Sequence, residues 1–456
     1  HFPASCPEIN SRHRPFTRAI PPPRQRGREL MTAVKTEVTP GMFSLAEEKV
    51  SWRSTIVMAG FSLLILVVFG VFGRAGDVTF KISADSARFA IPAFVATSSG
   101  VNIAAGLVLV AMTAVAAWWV RRNKHVPLWW IVLFGAVALV GLLGWLGAGG
   151  TVPLAFLLGN AIVLAIPIIF GGLSGVMSER VGVVNISIEA QLLAGAFVGA
   201  VVGTLTGNLY VALAAAMIAG MLLGMVLAVF SVEYLADQII VGVVLNVLVI
   251  GITNFLYSQW LVTDSDSTNF PGTLEIFRLP LLSDIPVLGP VLFENRITVF
   301  AAFIAVPLLW WVLFRSRLGL RARSVGEYPL AADTVGINVG RTRFWWVSLG
   351  GLLAGFGGAA LTIGNVGAFG KEMTAGQGFI ALAVVILGRW HPIYMSAAAL
   401  LFGFSIILRV WANQVSPGIP TDFILMVPYL VTLIAVVGFV GKVRPPAADG
   451  KPYVKE

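Results

Sequence analysis

AAGLVLVAMTAVAAWWV, residues 104–120, decides the fold class, because it runs through the length of a bilayer crossing without one charged side chain. Backbone in hydrocarbon must satisfy its own hydrogen bonds, so a spanning chain is either helical or a closed barrel. Barrel strands alternate apolar and polar positions, whereas this run and LLILVVFGVFG at 63–73 are continuously apolar. The composition agrees: 57% of the chain is hydrophobic, 12% is charged and the mean hydropathy is +0.87. The fold class is therefore all-α, a polytopic integral membrane helical bundle with about 10–12 hydrophobic segments.

Apolar segments fall near 55–73, 100–120, 128–147, 152–173, 181–206, 209–230, 238–260, 297–314, 344–364, 378–389, 393–411 and 423–441. Those at 181–206 and 378–389 are candidates for broken or partial spans. Arg121, Arg122 and Lys124 follow the second segment, Glu179 and Arg180 the fourth, and Lys442 and Arg444 the last. Positive charge collects on the cytoplasmic side of a membrane, which places both termini inside. The loop from Leu261 to Arg296, with Asp264, Asp266, Glu275, Asp284 and Glu294 against Arg278 and Arg296, faces outward. The first apolar run is long enough to remain as a span, so no cleavable leader is expected. Residues 1–30 read as disordered or as an upstream reading of the start site, with Met31 opening a more ordinary leader. The chain then divides into a basic segment 1–54, extra membrane spans 55–150, a core 151–441 and a tail 442–456.

The charge of +9 sits at termini and loops, where topology requires it, so nucleic acid is not expected as a partner. Cys6 is the single cysteine, and His1, His13, His125 and His391 lie in the tail or at span ends. Phosphate-loop, HExxH and GxSxG patterns are absent from the sequence, and no catalytic or metal-binding residue is assigned.

Polar residues inside apolar runs are costly unless they pair or line a pathway. Asn185, Glu189, Gln191 and Asn246 are such residues, and Asn365 and Phe369 stand in the glycine-rich turn GNVGAFG at 364–370. All six are candidate pathway residues. Internal pairing is the alternative for Glu189, as is interhelical bonding for Asn246. If 185–191 is helical, Asn185 and Glu189 share one face while Ser187 and Gln191 lie opposite. The clusters GGLSG at 171–175 and GGLLAGFGGAA at 350–360 read as close helix packing.

Between Phe314 and Phe344 an arginine-rich stretch, FRSRLGLRARSVGEYPLAADTVGINVGRTRF, interrupts the apolar pattern. Its small-residue centre, Ala331 to Gly336, suits a short helix for a partner to grip.

FGGLSGVMSERVGVVNISIEAQLLAGAF at 170–197 resembles a segment of the permeases of bacterial ABC importers for nucleosides, within the wider group that imports simple sugars such as ribose. Three further blocks match in order: Gly319–Phe344, Gly376–Phe404 and Pro420–Gly438. The resemblance implies a plasma-membrane permease subunit working by alternating access. It implies a second permease, a cytoplasmic ABC ATPase and an extracytoplasmic solute-binding protein as partners. It further implies that this chain binds no cofactor and that ATP is used by the ATPase. The family's coupling segment, within the loop 315–343, falls on Gly326, Glu327, Ala331, Ala332, Gly336 and Asn338. Ala190 replaces the family's usual glycine, and Leu330 stands where broader ABC permeases often place a glutamate. The first third, to about residue 150, matches much less well. Nucleosides are the first expectation and pentoses the alternative. An ion-coupled carrier of the same fold class would use Glu189 as a proton or sodium site, whereas a channel gives no reason for the coupling loop.

Overall fold

The computed structural model of the protein describes residues 52–83, 91–415 and 444–455. Among these, ten helices are long and apolar enough to span a bilayer. The apolar run 423–441, the block 420–438 and the basic segment to residue 51 lie outside the described residues.

The first unit is a three-helix bundle of α1 (Arg53–Val71), α2 (Ser98–Arg121) and α3 (Leu128–Leu146). Met58, Ile65, Leu109, Met112, Ala116 and Phe134 fill its centre. Inside it, the Ser62 and Thr113 hydroxyls lie 2.9 Å apart, so neither is stranded in hydrocarbon. Strands β1 (Asp77–Lys81), β2 (Phe94–Thr97) and β3 (Thr151–Pro153) close one end in the order β2-β1-β3. Because β3 runs directly into α4 (Leu154–Glu179), the sheet ties this unit to the core. Leu143 and Leu146 complete the joint by packing with Leu157 and with Leu408 and Trp411 of the last described span.

The core continues through α5 (Ile188–Thr206), α6 (Leu209–Glu233), α7 (Gln238–Leu261) and α8 (Ile297–Arg315). Between α7 and α8 the acidic loop folds into strands β4 (Ile276–Arg278) and β5 (Glu294–Arg296), joined by an Arg278–Glu294 ion pair. Two short helices follow, α9 (Arg317–Glu327) and α10 (Pro329–Thr334). Then come α11 (Val339–Val366), the 11-residue α12 (Gln377–Leu387) and α13 (Pro392–Val415). At about 1.5 Å per residue, α12 covers roughly half of the hydrocarbon thickness. The chain before α5 is irregular over residues 181–187. These are the two segments that the sequence marks as broken or partial.

Helix α11 is the centre of the core: 83% of its apolar stretch is buried, against 28% for α7. Glycine makes this possible, because α11 meets its neighbours backbone to backbone. A Cβ on Gly358 would collide with the Leu192 carbonyl of α5, and one on Gly351 with the Gly220 carbonyl of α6. Gly358→Ala is accordingly expected to destabilise the protein by about 1–3 kcal/mol through overpacking. Gly251→Ala on α7, where a Cβ meets nothing within 4 Å, should leave stability within about 0.5 kcal/mol. Thermal unfolding of the two variants in detergent provides the comparison.

Candidate functional site

The two interrupted segments meet at Glu189. This residue lies in the first turn of α5 and is 4% exposed. Its Oε1 accepts from Thr374 Oγ1 at 2.6 Å and from the Gly376 amide at 3.0 Å, while Oε2 accepts from the Gly378 amide at 2.6 Å. One carboxylate therefore takes the N–H of Gly376, which caps α12, and that of Gly378 in its first turn, while sitting at the start of its own helix. Both helix dipoles favour negative charge there. The approach is close because residue 378 is glycine: a Cβ would strike the Glu189 backbone. Gly376, at φ +80, makes the left-handed turn that aims both amides at the carboxylate.

Below this knot, Asn185, Gln191 and three serines form a closed network. Asn185 Nδ2 donates toward Ser174 Oγ at 3.2 Å, Ser178 Oγ at 3.3 Å and Gln191 Oε1 at 3.3 Å. Asn185 Oδ1 accepts from Ser187 Oγ at 2.8 Å, and Gln191 Nε2 donates to Ser187 Oγ at 3.1 Å. Since α5 starts only at Ile188, the helical facing of Asn185 with Glu189 does not occur. The irregular backbone turns Asn185 toward Gln191 instead. Asn246 of α7 holds the same stretch from the other side, accepting from the Ala190 amide and donating to the Ile186 carbonyl, each at 2.9 Å. Gly242, one turn before Asn246, gives the room, because a Cβ there would lie 2.9 Å from Ile186.

Asn365 lies in the last turn of α11, and Phe369 in the crossover between α11 and α12. Asn365 is half-buried. Phe369 is buried, edge-on to Phe197 of α5 at 5.2 Å and tilted against Tyr257 of α7 at 6.0 Å. Its backbone is gripped by Asn269, whose side chain accepts from the Phe369 amide at 2.8 Å and donates to its carbonyl at 2.9 Å. A polar thread thus links the acidic 261–296 loop, the α11–α12 crossover and α5. Asn254 extends it by donating to Glu372 Oε1 at 2.8 Å.

The arginine-rich end presents the other candidate residues. Gly326 is buried at the end of α9, close under the Arg180 carbonyl, where a Cβ would clash. Glu327 is exposed. In α10, Ala332 is buried with Ala322, Val325 and Val339, whereas Ala331 is exposed. Gly336, at φ +85, turns the chain, and Asn338 caps α11 by accepting from the Arg341 amide at 2.8 Å. The outward side of α10 therefore carries Tyr328, Leu330, Ala331 and Val335, a mostly apolar patch on a basic surface.

Segment 444–455 lies across this end. The Ala448 amide donates to the Gly326 carbonyl at 2.9 Å, and Arg343 Nη1 donates to the Lys451 carbonyl at 2.9 Å. Burial pushes the Asp449 carboxyl from 3.8 up to about 7, opposed by the Gly450 amide and the charge of Arg343. Glu179, at the end of α4, also lies within electrostatic reach of Asp449. A raised carboxyl takes up a proton on docking, so the docked segment loses stability as pH rises from about 4 to about 7 and is level above that. Hydrogen exchange of the Ala448 amide, corrected for intrinsic rate, should accelerate across pH 5 to 7, and Asp449→Asn should flatten the profile.

The family described as branched-chain amino acid transport system / permease component matches residues 157–436. The chain belongs to this permease family. It is similar to the guanosine ABC transporter permease protein NupQ of Bacillus subtilis, at 37% identity over 66% of this chain and 97% of the relative. The nucleoside ABC transporter permease protein NupC of Lactococcus lactis is 38% identical over 66% of this chain and 98% of its own length. The glucose ABC transporter permease protein TsgB13 of Haloferax volcanii is 27% identical over 63% and 77%. No solved structure matches the chain. The permease match begins inside α4, so the helices α1–α3 precede it. Within the permease core, sequence reasoning passed over Asn269, Thr374, Ser174, Ser178 and Arg343. Short polar side chains in loops or small-residue stretches give no periodic signal, and Arg343 reads as one more topological arginine.

Proposed function

We propose that this permease subunit serves an ATP-driven importer for nucleosides, with its arginine-rich end in the cytoplasm and both termini on that side. The orientation is supported by Arg121, Arg122, Arg180 and the arginines of 315–343 at one end, against the acidic 261–296 loop at the other. The observation that carries the reading is the α9–α10 segment. It buries Gly326 and Ala332 against the bundle and offers Tyr328, Leu330 and Val335 outward, the form of a knob for a groove on a separate ATPase.

In this mechanism an extracytoplasmic binding protein delivers solute at the outer loops, and a second permease completes the path. ATP-driven closure of the ATPases moves α10, which shifts the bundle between inward-open and outward-open states. The chain itself needs no cofactor. Glu189 sits where an outer crossover, a half-helix and α5 meet, so rearrangement of the Glu189–Gly378 knot is suited to open and close a path. Nucleosides are favoured by the relatives NupQ and NupC, while the glucose permease TsgB13 keeps simple sugars as the second reading. Purifying the binding protein that associates with this chain and identifying its ligand tests the choice. A nucleoside in its cleft supports the proposal, and a free sugar replaces it.

A further inference from the structure

The segment 444–455 is not idle chain. It binds four separate parts of the arginine-rich end by named contacts. Ala448 donates to Gly326 of α9, and the Ala447 amide lies 3.4 Å from Glu327. Lys455 reaches Asp333 of α10 at 3.4 Å. Arg343 of α11, 2% exposed, donates to Lys451, and Tyr453 packs on the core cluster that holds Ala332. The turn after α4 is shaped to receive it: Gly182, at φ +85, would place a Cβ 2.9 Å from the Ala448 carbonyl. A cleft of about 220 Å³ remains between the end of α6, α10 and this segment, with Glu233, Asp333, Arg343, Tyr453 and Lys455 on its walls.

Helix α10 has six residues, too few to hold itself rigid, and its outward residues are free. Ala332 is its one buried residue, so a push on such a helix is poorly transmitted unless further contacts tie it to the spans. We infer that residues 446–455 are a positioning strap, locking α9 and α10 to α11 and to the 180–187 turn so that displacement of α10 moves the bundle. This rests on the ATP-driven reading above. Through Ala448 and Gly450 the strap also touches the turn that leads to Asn185 and Glu189, so it joins the arginine-rich end to the Glu189 knot through seven residues of irregular backbone.

The test uses the full complex of this chain with its partner subunits in proteoliposomes, scored as solute moved per ATP hydrolysed. One variant lacks residues 444–456, and a milder one, Ala448→Pro, removes the N–H that bonds Gly326. Both should assemble with the ATPase and keep basal hydrolysis within about twofold, while solute per ATP falls about tenfold or more for the truncation and less for Ala448→Pro. A wild-type ratio in whichever variants assemble, or failure of both to assemble, overturns the strap. The intact complex run in parallel separates the two claims. If its uptake is not linked to ATP, the importer reading fails, whereas linked uptake with an unchanged ratio in the variants refutes the strap alone.

Discussion

Glu189→Ala is expected to be the most damaging single substitution in this protein. It removes the acceptor for three buried donors, Thr374 Oγ1, the Gly376 amide and the Gly378 amide. Hydrogen bonds to a charged acceptor contribute about 1.5–3 kcal/mol each, and stranded donors add their desolvation penalty. Three such losses amount to roughly 4.5–9 kcal/mol, a large share of the about 5–15 kcal/mol that holds a domain folded. Thermal unfolding in lipid nanodiscs should show a collapse of the midpoint together with loss of uptake. Glu189→Gln should lie between, since one amide oxygen still accepts while its NH2 faces an N–H donor. Were Glu189→Ala to keep its thermal midpoint while losing uptake, Glu189 would be a solute or ion ligand and not the clamp described above.

The second large effect is expected at α10, where two neighbouring kinds of position should fail differently. Val335 is 75% exposed, so Val335→Asp should leave folding intact, within about 0.5 kcal/mol, yet cut ATP-driven uptake by about tenfold or more by charging the apolar patch. Ala332 is 2% exposed, and Ala332→Arg forces an unpaired charge into the packing with Ala322, Val325 and Val339. That variant should lose on the order of 3–5 kcal/mol and reach the membrane poorly. Uptake, thermal midpoint and ATPase co-purification, measured on both, separate a docking defect from a folding defect. Normal uptake by Val335→Asp would remove α10 as the contact.

How much of this was legible in the sequence depends on the length of the signal. Spans of 18 residues or more announce themselves, because hydrocarbon admits few alternatives, and even the two interruptions at 181–187 and around 376 could be suspected from polar and glycine residues. The close-packing glycines of α11 were readable for the same reason. Partners of individual side chains were not. Glu189 bonds residues 374–378 across 185 to 189 positions, a pairing that only the tertiary fold brings about. A helical reading of 185–191 does not pair Asn185 correctly, since one irregular turn rotates it away from Glu189 and toward Gln191. In α10 the small residues were found, but Ala331 and Ala332 differ by one position, and only packing tells the exposed alanine from the buried one. The strap was invisible because its bonds are largely backbone bonds, which any sequence can make.

The central claim, that this chain passes nucleosides under the control of ATP, is tested most directly by uptake of radiolabelled guanosine into proteoliposomes holding the chain, its partner permease, its ATPase and its binding protein. An ATP-driven permease gives accumulation that requires hydrolysable ATP and persists when proton and sodium gradients are abolished by ionophores. Accumulation that continues without ATP and vanishes with the ion gradient would contradict it.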